Sequence, residues 1–477
     1  MKLSTKVAYN TIIQISSKVI ITALGLIAAA VLMRYLGQEG FGKYTTVVTF
    51  LSLFGVAADL GLTLVTTQMI SKPGVDQQKA LNNLFGLRFF SALIFLSLAP
   101  LVIIFLPYSF EVKLGVAVTS LAFFFISLSQ IFVGLFQNKL RMDKVSIAEI
   151  TGRALFVLGV FVVAFLNFGL IGALVTMIIA NGASFFLHYW FARKFFKVKI
   201  DIDFTWWKKI LKKSWPLALT IVFNLIYLRG DILVLSLVRD QSEVGVYGAT
   251  YKVVDVLIMA PFVLGGIILP LLTSNWAERN FDYFKRIIQR AVNFMVILSV
   301  PLVVGAQFLS TQIMTLVAGE QFVESGPLLK ILVLACFAVF IGVIFSHVII
   351  AIDKQKKIIG AYIFTSITSI IGYIIFIPKY SYVGAAWMTV YSEVLIGIFA
   401  FYYAWKFTKF VPEFRTFFKS LLASGIMAIF LYMIPDTFYS SFLGLTATLC
   451  GAGVVYFLSL YILKGITKQE FRILLNK

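Results

Sequence analysis

Long apolar stretches, fourteen in number, restrict the fold of this chain more than any other feature. A helix needs about 20 apolar residues to cross a bilayer, so each stretch predicts one membrane-spanning helix. Hydrophobic residues make up 60% of the sequence and charged residues only 13%, against about 25% charged in soluble domains. The predicted fold is therefore an all-α, polytopic membrane protein with 14 transmembrane helices. The predicted spans are residues 9–34, 43–70, 82–106, 113–137, 146–167, 169–191, 214–238, 244–272, 287–309, 327–351, 358–377, 381–404, 416–434 and 442–463.

The basic residues of the connecting segments predict the orientation of the chain. With the N-terminus placed inside, 31 lysines and arginines fall in the inside segments and 5 in the outside segments. Cytoplasmic loops retain lysine and arginine, so both termini are predicted to be cytoplasmic. The net charge of +20 follows from this distribution and does not form one basic patch, so nucleic acid is not an expected partner.

Short matching motifs indicate that the first six spans and the next six are repeats of one unit. FGKY (41–44) opens the second span and VGVY (244–247) opens the eighth, while GLIGALV (169–175) and SYVGAAW (381–387) open the sixth and twelfth. Because six is an even number, both halves have the same orientation, as in one class of transporters. We predict two six-helix lobes related by a parallel pseudo-two-fold repeat, plus two C-terminal helices. The predicted divisions are an N-lobe over 1–191 (helices 1–6), a basic cytoplasmic linker over 192–213, a C-lobe over 214–404 (helices 7–12), and helices 13–14 with a tail over 405–477.

The linker contains FTWWKKILKK, in which Trp206 and Trp207 precede a lysine cluster. This pattern favours an amphipathic helix in the membrane interface; the alternative is a solvated linker whose charges only hold topology. The Asp201–Asp203 pair has the DxD spacing of some glycosyltransferases, but no soluble domain surrounds it, so we interpret it as chance. The sequence has no phosphate-binding GxxxxGK[ST] motif. An enzyme is therefore not predicted.

Cysteine and histidine usage predicts no metal and no cofactor. Cys336 and Cys450 both lie in apolar runs, and His188 and His347 have no ligand partners nearby in the sequence. Packing is the expected role of the two cysteines, and the two histidines predict no metal site, because such a site needs several convergent ligands.

Charged residues inside the predicted spans are the strongest functional signal. Each costs about 2.5–3.5 kcal/mol at a helix centre, so most must face a wet cavity or one another. Glu149 and Arg153 are one helical turn apart, as are Lys252 and Asp255, and these two pairs could be structural. The nine intramembrane charges are Lys18, Asp59, Glu149, Arg153, Arg229, Asp231, Lys252, Asp255 and Glu393.

Arg229 and Asp231 lie on opposite sides of one helix, so at least one of them needs a partner on another helix or a substrate. Ammonium and guanidinium groups form charge-assisted bonds to phosphate, which suits a diphosphate carried on a lipid. A mid-membrane carboxyl group can carry H+ or Na+. Lys18 could instead extend its ammonium to the interface. We predict a diphosphate-binding cleft lined by Lys18, Arg153, Arg229 and Lys252, and ion coupling by Asp59, Asp231, Asp255 and Glu393.

Several segments resemble polysaccharide flippases of the multidrug/oligosaccharidyl-lipid/polysaccharide exporter superfamily, including Wzx-type O-antigen flippases. LMRYLGQEGFGKYTTVVTFLSLFGVAADLGL (32–62) resembles the first two spans of that family, and GDILVLSLVRDQSEVGVYGATYKVVD (230–255) resembles its seventh and eighth spans. FQNKLRMDKVSI (136–147) and YVGAAWMTV (382–390) are similar to later family segments.

The resemblance implies a MATE-like fold with a V-shaped cleft and alternating access. It implies transport of a polyprenyl-diphosphate-linked oligosaccharide, such as an O-antigen unit for lipopolysaccharide, from the inner to the outer leaflet of the inner (cytoplasmic) membrane. Family members use basic cleft residues, which Lys18, Arg153, Arg229 and Lys252 match in kind. The expected partners are the lipid-linked oligosaccharide, membrane lipid and a glycan polymerase or ligase complex.

Two alternatives remain open within the same superfamily. A cation or drug antiporter would have an acidic cleft, which Asp59, Asp231, Asp255 and Glu393 would allow. A flippase of a lipid-linked peptidoglycan precursor would share the basic cleft. The five acids among the nine intramembrane charges keep a cargo other than a diphosphate lipid open.

Overall fold

A computed structural model describes residues 3–70, 76–435, 438–439 and 441–465. The last part of the predicted tail, residues 466–477, lies outside the described residues. The described ranges consist of helices and short connections, with no β-strand among them. The all-α fold expected from the sequence is thus confirmed.

The long helices follow one another with short connections. Two 3₁₀ turns, Glu320–Phe322 and Gln355–Ile358, separate some of them. The α-helices are α1 (Leu3–Asp59), α2 (Leu62–Ile70), α3 (Gln77–Ile104), α4 (Phe110–Asn138), α5 (Met142–Leu166), α6 (Gly169–Ala192), α7 (Phe204–Val238), α8 (Gln241–Leu257), α9 (Met259–Ala277), α10 (Phe281–Ala318), α11 (Ser325–Ala351), α12 (Ile359–Thr408), α13 (Arg415–Met433) and α14 (Phe442–Ile462).

Within the described residues, twelve helical stretches are long and apolar enough to cross a membrane. Two of them, in α1 and α12, are about twice the length that one crossing needs. Each is interrupted by one residue at positive φ: Gly37 at 65° in α1 and Ser381 at 51° in α12. Glycine adopts this conformation readily, and Pro378 removes a helical hydrogen bond one turn before Ser381. The number of fourteen membrane crossings therefore remains a prediction from the sequence.

The first compact unit comprises Met1–Gly248. One cluster of its buried side chains, including Leu84, Phe132, Phe136 and Ile210, joins α2 to α6 with the start of α7. Lipid tails are as apolar as these side chains, so close packing, rather than removal from water, holds such helices together.

The second compact unit comprises Ala249–Lys477. Leu272, Phe284 and Phe340 belong to its largest buried cluster, which joins α9 to α12. The C-terminal helices α13 and α14 pack on α10 through a separate cluster, and the Tyr456 hydroxyl donates a hydrogen bond to the Ile297 carbonyl at 2.8 Å.

The segment between α6 and α7 runs along α3 as an extended strap. The Asn82 side-chain oxygen accepts a hydrogen bond from the Lys199 backbone N–H, and that of Asn83 accepts one from the Asp203 N–H, both at 3.1 Å. The Asp201 carbonyl lies against Gly86, where a Cβ would overlap it. Buried amide side chains on α3 therefore accept hydrogen bonds from backbone N–H groups of the strap. In a solvated linker these groups would bond to water.

The FTWWKKILKK segment is the start of the 35-residue helix α7. Asp203 caps this helix by accepting hydrogen bonds from the Thr205 and Trp206 backbone N–H groups at 3.0 and 3.2 Å. The Trp207 ring lies 5.9 Å from the Phe90 ring, while Lys208 is exposed. This part of α7 is amphipathic, and a helix cap accounts for Asp203 of the DxD motif.

Candidate functional site in the charged residues of the helices

Three charged side chains form a group where α1 packs against α5. Lys18 comes from α1, and Glu149 and Arg153 come from α5. The charges of Lys18 and Arg153 both act on the Glu149 carboxyl group. The Arg153 guanidinium lies over Gly25 of α1, with its Cζ 3.7 Å from where a Cβ would be. A Cβ at this distance would make ordinary van der Waals contact, so the guanidinium packs directly against α1.

This group is close together without being joined by ion pairs. Lys18 is exposed and Glu149 and Arg153 are half-buried. In the described part of the chain, none of the three has a salt-bridge partner within 4.0 Å. The intrahelical pair that the sequence allowed for Glu149 and Arg153 is therefore not formed, and both cations keep their hydrogen-bonding capacity.

Two tyrosines at equivalent repeat positions each approach an intramembrane charge. Tyr44 of FGKY is buried within electrostatic range of Arg153. Tyr247 of VGVY donates a hydrogen bond of 2.6 Å to Asp231. Asp231 is completely buried and also accepts from the Ile232 backbone N–H at 2.7 Å. Arg229, on the same helix, is half-buried.

Asp59 belongs to a different environment at the end of α1. It forms an ion pair with Arg88 of α3, which is 2% exposed. Arg88 also donates hydrogen bonds to Thr63 at 3.1 Å and Ser127 at 3.2 Å. The Thr63 hydroxyl donates to Asp59 in turn. This network uses most of the donors of Arg88 inside the protein.

Sequence reasoning found no local partner for Asp59, because it counted Arg88 among the inside basic residues although Arg88 lies in the predicted span 82–106, and so left it out of the intramembrane charges. The apolar residues on both sides of Arg88 in LFGLRFFSALIF (84–95) are the signal that could have placed it in a helix. Tyr247 was likewise known only as part of a repeat motif, not as a donor to Asp231.

The second unit contains Lys252, Asp255 and Glu393. Glu393 is buried, while Lys252 and Asp255 are half-buried. Both carboxylates act electrostatically on the thiol of Cys336, which places them in one neighbourhood. Close by, the hydroxyls of Tyr251 on α8 and Thr389 on α12 are 3.2 Å apart. The structure therefore brings two predicted ion-coupling acids together within one unit.

Two family profiles match the sequence. The family described as "Polysaccharide biosynthesis protein" matches residues 7–276, and the MatE family matches residues 216–375. Among curated proteins, the chain is 20% identical over 294 residues to the capsular polysaccharide biosynthesis protein CapF of Staphylococcus aureus, covering 61% of this chain and 74% of CapF. It is 22% identical over 199 residues to a protein of Haloferax volcanii named "Probable low-salt glycan biosynthesis flippase Agl15", with 42% of each chain covered.

Solved transporter structures share the fold. The structure of the lipid II flippase MurJ in an inward closed conformation matches with a TM-score of 0.78 at 19% identity, covering 98% of this chain and 100% of MurJ. An inward-facing multidrug resistance MATE transporter of the MOP superfamily matches with a TM-score of 0.69 at 16% identity, covering 84% of this chain and 98% of the transporter. These likenesses establish a common fold across both compact units.

Proposed function

This chain belongs to the polysaccharide biosynthesis protein family, within a superfamily of multi-pass membrane transporters, and from that premise we propose that it is a flippase of lipid-linked oligosaccharide. The cargo is a polyprenyl-phosphate or polyprenyl-diphosphate carrying a glycan, and it moves from the inner to the outer leaflet by alternating access. The glycan crosses in water while the lipid tail stays in the bilayer.

The group of Lys18, Glu149 and Arg153 is the observation that supports this proposal. Two cations without ion-pair partners at neighbouring helices can bind the oxygens of one diphosphate through charge-assisted hydrogen bonds. Glu149 lowers the net positive charge when the site is empty. We propose Arg229 of the first unit and Lys252 of the second unit as further binding residues for the cargo.

The test uses cells that lack the gene and carry either the wild-type protein or the double variant Lys18→Gln/Arg153→Gln. Lipid-linked oligosaccharide is expected to accumulate on the inner leaflet without the protein. Wild type should relieve the accumulation and the double variant should not, although it reaches the membrane in equal amount. The matched control is Lys208→Gln, an exposed base on α7, which should behave as wild type. Relief by the double variant would contradict the proposed site.

We propose that Asp255 and Glu393 couple transport to H+ or Na+. Two carboxylates in one neighbourhood favour binding of a shared cation or proton. Asp59, which forms an ion pair with Arg88, and Asp231, which accepts a hydrogen bond from Tyr247, are the other two candidates for this role. Transport by Asp255→Asn/Glu393→Gln should no longer respond to an imposed ion gradient. An unchanged response would contradict this assignment.

A cation or drug antiporter is the second candidate, favoured by the MatE match over residues 216–375 and by the same two carboxylates. The experiment with cells that lack the gene separates the two functions. Altered sensitivity to cationic drugs, without accumulation of any lipid-linked glycan, would favour the antiporter. Accumulation of a lipid-linked peptidoglycan precursor would instead identify that precursor as the cargo.

The location of the protein and its partner enzymes are part of the same proposal. We place the protein in the inner (cytoplasmic) membrane with both termini in the cytoplasm, following the excess of basic residues in alternate segments. A glycan polymerase or ligase on the outer side would use the product, and a complex with such an enzyme is part of the proposal.

A further inference from the structure

A short motif on α3, QKALN (78–82), recurs on α10 as QRAVN (289–293), with an offset of 211 residues. In both copies the glutamine side chain donates a hydrogen bond to the asparagine oxygen one turn later, at 3.2 Å from Gln78 and at 2.8 Å from Gln289. Each motif lies at the start of the third predicted span of its repeat. The two motifs are therefore equivalent positions of the two repeats.

Each glutamine also binds the backbone of the segment that leaves the last helix of its own repeat. Gln78 donates to the Lys197 carbonyl and accepts from the Lys197 N–H at 3.1 Å. Gln289 donates to the Glu413 carbonyl at 3.2 Å and accepts from the Glu413 N–H at 2.8 Å. Lys197 comes five residues after the end of α6, and Glu413 comes five residues after the end of α12. One amide thus bonds both backbone groups of one residue and fixes the path of the segment.

The two repeats differ in the charges around this shared contact. In the first repeat, the basic residue of the motif, Lys79, lies 3.4 Å from Asp203. In the second repeat its counterpart, Arg290, is exposed and has no salt bridge within the described ranges. Counted from the bonded backbone residue, position six is Asp203 in the first repeat and Lys419 in the second. A base therefore stands in the second repeat where the first repeat has the acid.

Lys419 belongs to a basic group where α13 and α14 meet. Its ammonium group donates a hydrogen bond of 2.7 Å to the Lys464 carbonyl just beyond α14, which leaves two of its three donors. Arg415 lies one turn earlier on α13, and the charges of Arg415 and Lys464 both act on Lys419. None of these three bases has a salt bridge to a residue that the structure describes. Glu413, the acid nearest to them in the sequence, is exposed.

An exposed apolar stripe begins beside this basic group. Phe414, Phe418 and Leu422 follow one another at four-residue spacing on α13 and are 60%, 61% and 61% exposed. The predicted topology places the start of α13 and the end of α14 at the inner side of the membrane. Cytoplasmic leaflets are rich in anionic lipids, and basic pockets between helices on that side bind their headgroups. The basic group and the stripe match the two ends of such a lipid.

We propose that Arg415, Lys419 and Lys464 form a binding site for the headgroup of an anionic phospholipid of the inner leaflet. The three side chains bind the lipid phosphate through charge-assisted hydrogen bonds, and an acyl chain lies along Phe418 and Leu422. The site lies within the second compact unit. It does not depend on the identity of the transported cargo.

Binding of a fluorescent phosphatidylglycerol to the purified protein in detergent tests this site. A fluorescent phosphatidylcholine with the same acyl chains and no net charge is the comparison ligand. The test variant is Arg415→Gln/Lys419→Gln. The matched control is Lys356→Gln/Lys357→Gln, which removes two exposed bases from the same predicted side of the same unit.

Wild type is expected to bind phosphatidylglycerol more tightly than phosphatidylcholine. The test variant should lose roughly 30-fold in affinity for phosphatidylglycerol and nothing for phosphatidylcholine, while the matched control keeps both affinities. Wild-type affinity of the test variant for phosphatidylglycerol would overturn the proposal. An equal loss in the matched control would also overturn it, because net positive charge alone would then explain the binding.

Two further measurements identify the ligand and the site. Lys18→Gln/Arg153→Gln, which removes the bases proposed to bind the cargo, should bind phosphatidylglycerol as wild type does. If this variant loses the lipid and the variant at Arg415 and Lys419 keeps it, the lipid binds among the cargo residues and the proposal is wrong. Glycerol phosphate offers the same phosphate without acyl chains. Displacement of the probe by an equal concentration of glycerol phosphate would show that the ligand is a small soluble anion and not a membrane lipid.

The single variant Arg415→Gln guards against misfolding of the double variant, because it keeps the bond from Lys419 to the Lys464 carbonyl. It should retain the unfolding temperature of wild type and lose roughly fivefold in affinity for phosphatidylglycerol. Full wild-type affinity in this folded protein would overturn the assignment of Arg415 to the site.

Discussion

Two groups of intramembrane charge in the first compact unit differ in how far the protein satisfies them. Asp59 and Arg88 form an ion pair that is almost wholly buried and further bonded to Thr63 and Ser127. Lys18 and Arg153 lie near Glu149 without an ion pair in the described part of the chain. Both groups draw their residues from α1 and one neighbouring helix.

The difference indicates that a charge within a span is not by itself a sign of a binding site. A buried ion pair with most of its hydrogen bonds made holds helices together and has little capacity left for a ligand. A half-buried base without an ion-pair partner keeps that capacity. The comparison therefore favours a structural role for Arg88 and supports the binding role proposed for Arg153.

The largest expected effect is on stability, at Arg88. Arg88→Leu leaves the Asp59 carboxylate without its partner, and breaking a buried pair from one side costs about 3–5 kcal/mol. We expect a clearly lower unfolding temperature in detergent and less folded protein in the membrane. The double variant Arg88→Leu/Asp59→Leu should regain much of the loss, because no unpaired charge remains. Equal stability of Arg88→Leu and wild type would mean that the pair is not structural.

The next effect is on binding, at Arg153. Arg153→Gln removes charge-assisted hydrogen bonds worth about 1.5–3 kcal/mol, so the affinity for lipid-linked diphosphate should fall by roughly 10- to 150-fold. The unfolding temperature should stay near that of wild type, since Arg153 has no ion-pair partner to lose. Binding of a fluorescent lipid-linked diphosphate to protein in nanodiscs measures the affinity. A large drop in unfolding temperature would instead indicate that Arg153, like Arg88, has a structural role.

A smaller effect of opposite sign is expected at Glu149. Its charge lies close to both bases, and it repels an incoming phosphate. Glu149→Gln should therefore tighten binding of the same diphosphate probe several-fold, because it removes a repulsive charge and leaves the two cations. Weaker binding by this variant would mean that Glu149 holds Lys18 and Arg153 in place and does not tune their charge.

The sequence predicted the apolar helices, the basic linker and the positions of Lys18, Asp59, Glu149 and Arg153 within helices, but it did not count Arg88 among these charges. Helix length, amphipathic pattern and charge bias are local properties of the chain, so they can be read without a structure. The bonding partner of each charged side chain could not be predicted in this way. Arg88 is 29 residues from Asp59 along the chain, and only the packing of α3 on α1 makes it a partner. The strap is another example, since Asn82 and Asn83 satisfy backbone groups more than 100 residues away.

The smallest expected effect concerns a satisfied charge at the surface, Asp203. The backbone N–H of Trp206, which donates a hydrogen bond, and then the Lys79 ammonium lower the pKa of this half-buried carboxyl group below its usual value. A lowered pKa in the folded state means that the charge stabilises the start of α7 fully above the unfolded-state pKa of about 3.9, and that this stabilisation is lost as the pH falls through the folded-state pKa. The unfolding temperatures of wild type and Asp203→Ala should differ slightly at neutral pH and converge in acid. Asp203→Asn keeps a side-chain oxygen for the cap, so its unfolding temperature at neutral pH should lie between those of wild type and Asp203→Ala. Because the amide does not titrate, the difference in unfolding temperature between Asp203→Asn and Asp203→Ala should change little with pH. If the unfolding temperatures of wild type and Asp203→Ala differ by the same amount in acid as at neutral pH, the contribution of Asp203 to stability comes from packing and not from the carboxylate charge.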